Sequence, residues 1–216
     1  MSCPSKAFKN EDCRLIDEAR SLYEKADPAH DFSHILRVCK NAMLIGECEG
    51  ADMQVLFLSA LLHDAGSGPK LTKGSESSAK NLKTAEDFLI KEGISEEIRE
   101  MVLYAVNVHS FSKGIRPDTL EAKILQDADR LDALGAIGIA RVFLTGGSLK
   151  RELYNSEDPF CRAREPDDSR WNLDHFYSKL LRLESGMHTE TARAMARERS
   201  AVMRRYLSDL QREIEG

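Results

Sequence analysis

The sequence predicts an all-α fold, on three observations. Apolar residues recur at three- and four-residue spacing along the whole 216-residue chain. Almost every such segment is bracketed by helix punctuation, whereas alternating runs of strand type hardly occur. Aromatic residues make up only 6%, while Ala, Leu, Glu, Arg and Lys are abundant. With no internal repeat and no linker, one domain spanning 1–216 is expected. Its core covers about 28–145, with C-terminal helices of about 172–215 packed on it.

The elements follow in order. Asp12 is placed to cap a first helix with the apolar face Leu15, Ile16, Ala19, Leu22 and Tyr23, broken at Asp27-Pro28. A second helix runs from about Asp31 to Cys48. After Gly50-Ala51-Asp52 a third runs to about Asp64 and is apolar nearly all round, which predicts a central position. Gly66-Ser67-Gly68-Pro69 and Gly74 mark a substrate-facing loop. A fourth helix from about Ser75 to Glu92 stops at Gly93, and Ser95 is placed to cap the fifth, with Glu96 and Glu97 in its first turn. Asp118 and Glu121 form a capping-box pattern opening one long sixth helix to about Phe143, ended by Gly146-Gly147. Polar residues with Pro159 and Pro166 predict a long loop or lid over Tyr154 to Arg170. Helices of about Asn172–Glu184 and Thr189–Glu215 close the chain.

Composition excludes several classes. The net charge of −5 disfavours a duplex nucleic-acid partner. No run reaches the roughly 18–20 apolar residues of a membrane span, and Met1 to Asp12 has no signal-peptide core. Five cysteines (Cys3, Cys13, Cys39, Cys48, Cys161), an odd number without a CxxC pair, give neither a disulfide framework nor a thiolate metal knuckle, so a reducing cytoplasm is expected.

The chemistry concentrates where ionisable residues interrupt apolar helices. His63-Asp64 ends the most apolar segment, Leu58-Ser59-Ala60-Leu61-Leu62. Burying that pair is costly unless a partner such as a metal ion satisfies it; the alternative is a helix end emerging into water. His34 sits among Phe32, Ile35 and Val38 and can face the same interior, or simply bond backbone. His30 precedes it by one turn, but Asp31 replaces the Glu that a zinc-protease helix requires. The sixth helix carries Asp127, Asp129 and Asp132 among Ile124, Leu125, Ala128, Leu131 and Leu134. Asp129 and Asp132 lie about 60° apart on the helical wheel, and Asp127 points elsewhere. Together His34, His63, Asp64 and Asp129 make a ligand set whose charge of −2 would balance a divalent cation: Mn, Fe, Co, Ni, Mg or Zn.

This ordered pattern, His34, then His63-Asp64, then Asp129 in Ala128-Asp129-Arg130-Leu131, resembles the H…HD…D signature of the HD-domain metal-dependent phosphohydrolases. The likeness covers most of the chain. The segments around His30-Asp31-Phe32-Ser33-His34, His109-Ser110-Phe111-Ser112-Lys113-Gly114 and His175-Phe176-Tyr177-Ser178-Lys179 further resemble a small, stand-alone bacterial and archaeal subgroup. The resemblance implies a helical fold around the metal. It also implies hydrolysis of phosphate esters or anhydrides, nucleoside triphosphate pyrophosphohydrolysis included, with a nucleotide as substrate and metal-activated water attacking phosphorus.

Roles follow from that resemblance. Asp64 belongs to the catalytic centre, Asp132 orients a ligand or water from behind it, and His109 donates a proton to the leaving group. Lys113 offsets phosphate charge, or is an exposed loop lysine. Arg37 and Arg130 pair with phosphate, or with Asp31 and Asp127. His30 contacts substrate, or caps its helix. His175 is expected to pack with Phe176, Leu180 and Leu181, and His188 to be exposed without a role. Ser67 stands where cyclic-dinucleotide phosphodiesterases carry Lys, and the Glu-Asp pair of alarmone hydrolases is missing. The rival classes are a nucleotide-binding regulatory module without turnover and a non-heme iron oxygenase on the same fold.

Overall fold

The structure is a computed structural model and describes residues 10–24, 31–66, 75–110 and 114–216. Among the described residues it is helical, with one isolated parallel bridge, Glu152 to Trp171, in place of any strand. The helices are α1 (Asn10–Ala19), α2 (Phe32–Glu49), α3 (Met53–Leu62), α4 (Ser75–Lys91), α5 (Glu96–Val108), α6 (Leu120–Asp132), α7 (Gly135–Ser148), α8 (Asp174–Ser178) and α9 (Glu190–Glu215). Tighter 3-10 turns occupy Arg20–Tyr23 and Leu180–Gly186. The chain divides into two compact units, Met1–Ala128 and Asp129–Gly216, and α6 runs through the division. His30, Lys113 and the loop over 67–74 lie outside the described residues.

In the first unit α3 is the centre. Every residue from Val55 to Leu62 is buried, and α3 packs on α2 and α5. The buried stripe of α2 (Ile35, Val38, Cys39, Ala42, Ile45) supplies one wall. Ile35, Val38 and Ile45 each contribute roughly 1.5–3 kcal/mol when removed from water. Two acids set the helix starts: Asp31 accepts the amides of Ser33 and His34, and Asp52 those of Gln54 and Val55. Several expected boundaries differ. α1 begins at Asn10, so Asp12 lies inside its first turn. Ser95 stands before α5 without a capping side-chain bond. Thr119, rather than the Asp118/Glu121 box, caps α6 through Oγ1 to the amide of Ala122, while Glu121 accepts the amide of Asp52.

The expected single helix from Asp118 to Phe143 is two. Leu134 leaves the helical region (φ −110°, ψ 164°) and Gly135 adopts φ +71°, a conformation open mainly to glycine. Arginines satisfy the freed end of α6: Arg199 donates to the Leu131 carbonyl at 2.6 Å, and Arg141 to the carbonyl (3.2 Å) and carboxylate (2.8 Å) of Asp132.

In the second unit α7 packs on α9, and Phe143, Phe176 and Tyr206 form a ring cluster at 6.0–6.4 Å. The irregular stretch between α7 and α8 is tied down by the fully buried Asp174, which takes Arg164 through both terminal nitrogens (2.5 and 2.8 Å) and the amide of Asp167. Trp171 lies between the guanidinium groups of Arg164 and Arg170, 4.5 and 4.4 Å from its ring centre. The helix expected over Asn172–Glu184 is interrupted at Lys179, whose φ of −136° ends α8 after Ser178. Thr189, where the last helix was expected to begin, is the residue that caps α9 by accepting the amide of Ala192.

Cys39 is buried, and burial pushes its thiol far up. Burial likewise raises the half-buried Cys161, to about 11. Cys13 is disulfide-bonded, although the odd and widely spaced cysteines gave no disulfide framework in the sequence. No single described helix is long and apolar enough to cross a membrane.

Candidate metal centre

Three helix ends and one helix interior carry the candidate site residues, His109 among them beside the four candidate ligands. The Asp31 cap fixes the start of α2, so that His34 turns inward beside Ile35 and is fully buried. His63 is the residue after α3. Its Nδ1 donates to the Ala60 carbonyl at 2.9 Å, which leaves the lone pair on Nε2. His109 repeats this arrangement after α5, with Nδ1 donating to the Val106 carbonyl at 2.6 Å. In both cases a terminal carbonyl that has no donor within its helix is satisfied by the imidazole three residues on. The rings meet edge to face, His34 to His63 at 5.3 Å between centroids and His63 to His109 at 5.2 Å.

One ligand atom from each of His34, His63 and Asp129 lies within 4.8 Å of the other two. Asp129 is a single residue past the division between units, on the uninterrupted α6, so the helix carries it there. Asp64 adds a second carboxylate. Its Oδ2 is 3.7 Å from His63 Nε2, its Oδ1 is 3.7 Å from His109 Nε2, and its side chain is only 14% exposed. Such separations are too long for hydrogen bonds and suit ligands sharing an ion with bonds of about 2.0–2.2 Å. Two neutral imidazoles and two carboxylates, without thiolate, fit a divalent ion of borderline character.

The backbone carrying His63-Asp64 is held from two sides. Tyr23 donates to the Leu61 carbonyl at 2.5 Å, and Asn81 donates to the carbonyl of His63 at 2.7 Å. Burial first, and then the nearby charge of Asp64, push the Tyr23 phenol well up, so it remains a donor.

Other candidates have partners the sequence did not indicate. The buried Asp132 pairs with Arg141 at 2.8 Å. Arg130 donates to the Gly186 carbonyl at 2.5 Å and meets His188 Nε2 at 3.3 Å; His188 is thus half-buried, contrary to the exposed position expected. Arg37 donates to Ser33 Oγ on the exposed face of α2, and Ser33 in turn bonds Asp31. His175, expected among apolar neighbours, bonds Asp168 at 2.6 Å, and Asp168 also accepts from Ser178. Tyr23, Asn81 and Arg141 escaped the sequence reading because no local periodicity links them to the residues they hold.

Known proteins give the comparison. The HD domain family matches residues 31–134. The uncharacterized protein YpgQ of Bacillus subtilis is 33% identical over 201 residues, covering 91% of this chain and 90% of its own. The crystal structure of Bacillus subtilis YpgQ in complex with ADP superposes with a TM-score of 0.75 at 32% identity, covering 95% of this chain and 96% of that one. An HD-superfamily hydrolase from Bacillus thuringiensis gives 0.74 at 33% identity, covering 95% and 97%. With the His34, His63-Asp64 and Asp129 pattern inside the matched span, this chain belongs to the HD-domain superfamily of hydrolases.

Proposed function

We propose that the chain is a divalent-metal-dependent phosphohydrolase acting on nucleotides or related phosphate esters or anhydrides, with release of pyrophosphate from nucleoside triphosphates among the reactions to be tested. The observation that carries the reading is the convergence of His34, His63 and Asp129 ligand atoms within 4.8 Å, with Asp64 3.7 Å from His63. A divalent ion held by these residues would supply Lewis acidity toward a phosphoryl oxygen and toward the attacking water. The nucleotide assignment draws on the ADP complex of YpgQ.

The chain's own groups divide the work. His34 and His63 offer neutral Nε2 atoms, and Asp64 and Asp129 bring the two negative charges. The Nδ1 bond to Ala60 keeps His63 from turning its protonated nitrogen to the site. His109, in its imidazolium form, holds a proton on Nε2 beside Asp64 and delivers it to the leaving oxygen. Arg37, on the rim of α2, along with His30, Lys113 and Arg130, is assigned to substrate phosphates. Asp132 acts through its pair with Arg141, holding the end of α6 on which Asp129 sits.

The test is a panel of nucleoside mono- and triphosphates with Mn, Co, Ni or Mg, with the product identified as phosphate or pyrophosphate. Asp64→Ala and Asp129→Ala should each lower kcat by 100-fold or more while keeping the helical circular-dichroism spectrum. Turnover unchanged in both, or binding of nucleotides without turnover under every metal, would remove the enzymatic reading.

A further inference from the structure

The candidate ligands are not the only polar groups sequestered in the first unit. Tyr23, Asn41, Asn81 and Gln126 are all buried, at 5%, 8%, 6% and 2% exposure. Each donates to a main-chain carbonyl. Tyr23 reaches Leu61, two residues before His63, and Asn81 reaches His63 itself. Gln126 reaches Val108, the residue before His109, at 2.7 Å, and also Ile115 at 3.2 Å. Asn41 reaches Ala128, the residue before Asp129, at 3.3 Å. All three buried amide side chains among the described residues of this unit therefore end within one residue of a candidate site residue. At the far side of the turn, the Leu22 carbonyl accepts the amide of Gly66 at 3.2 Å.

We infer that Tyr23, Asn41, Asn81 and Gln126 are positioning residues that lock the peptide planes bearing His63, Asp64, His109 and Asp129; the inference rests on the metal-centre reading above. A helix's last carbonyls have no donor within the helix, and the peptides after them are free to rotate. Three of these contacts fall on such carbonyls or just beyond them: Leu61 and His63 at the end of α3, and Val108 at the end of α5. Fixing a peptide plane fixes the direction of the Cα–Cβ bond that follows, and so the point at which an imidazole or carboxylate arrives. A neutral donor does this without altering the charge of the ligand set, which a Lys or Arg in the same place would partly cancel. An apolar side chain would be the cheaper occupant if packing alone mattered, because a buried amide is costly unless bonded. The 3-10 turn of residues 20–23 thereby becomes part of the site, although it contributes no ligand.

The experiment uses the full chain with Mn²⁺ alone, counted as free aquo ion by electron paramagnetic resonance, and with Co²⁺, read by its d–d absorption. Tyr23→Phe and Asn81→Leu should each weaken Mn²⁺ binding by tenfold or more, within the range typical of groups that orient metal ligands, and should alter the Co²⁺ band. Tyr104→Phe is the control. It deletes a hydroxyl that accepts the amide of Asp118 at 3.0 Å and donates to its carboxylate at 3.4 Å, beside no candidate ligand, and should leave both readouts as in wild type. If either test variant does not fold, Asn41→Ala serves in its place. Variants that match wild type in Mn²⁺ affinity and Co²⁺ spectrum overturn the inference. Wild-type protein that binds no Mn²⁺ overturns the metal-centre reading itself, a separate and recognisable result.

Discussion

At the scale of single residues, hydrogen bonding decides which nitrogen or oxygen is offered. His63 and His109 use Nδ1 on a carbonyl three residues back and so present Nε2. His175 is held differently. Burial lowers its pKa below the ordinary value near 6.5, and the bond to Asp168 offsets this only in part. For Asp168, burial pushes the carboxyl up, but hydrogen bonds from His175 and Ser178 outweigh it and the net shift is downward. Both groups are therefore depressed in the folded state. Each contributes stability that is present above its unfolded pKa and lost as pH falls through its folded pKa. The urea midpoint should fall as pH drops from about 7 toward 4, and His175→Gln should flatten the upper part of that curve; a midpoint independent of pH between 7 and 5 would contradict it. The Asp168–His175 contact was hidden in the sequence because His175 sits beside Phe176 with Leu180 and Leu181 further on, apolar surroundings that read as packing. His63-Asp64 was legible for the opposite reason: no packing explanation accounts for an ionisable pair after an eight-residue run that is apolar but for Ser59.

At the scale of elements, helices were readable but their caps were not: Ser95 and the Asp118/Glu121 box were expected to cap, whereas Asp31, Asp52, Thr119 and Thr189 are the side chains that do. The break between α6 and α7 was not readable either, because Leu131 to Val142 keeps helical periodicity through Gly135 and the arginines that close α6 lie 9 and 68 residues away. The end of α7 shows how tightly the second unit is fitted. A Cβ on Gly146 would fall 1.6 Å from Oδ1 of Asn172, a residue 5% exposed. Gly146→Ala should therefore destabilise the protein by about 2–3 kcal/mol, the range for overpacking a filled interior. Equilibrium urea unfolding measures it, and a cost below about 0.5 kcal/mol would show that Asn172 can move aside.

At the scale of the whole molecule, an ion held only by the folded chain must stabilise it. Mn²⁺ at 100 times its dissociation constant should add about 2.7 kcal/mol. In a chain of 216 residues that corresponds to roughly 5–10 °C in Tm. Thermal melts with Mn²⁺ and with EDTA check it, and the increment should vanish in Asp129→Ala. Coincident melts would mean that the His34, His63 and Asp129 group holds no ion.

The sequence by itself determined the helical class and the placement of ionisable residues within apolar helices, because both are written in short-range periodicity. It also offered His34, His63, Asp64 and Asp129 as candidate ligands through their order along the chain. Only the tertiary structure supplies the distances that separate Asp129 from Asp132. The helical wheel puts Asp129 and Asp132 on one side, but it gives an angle about an axis and no distance to another helix. Arg141 takes Asp132, and Asp129 is the one within reach of His34 and His63.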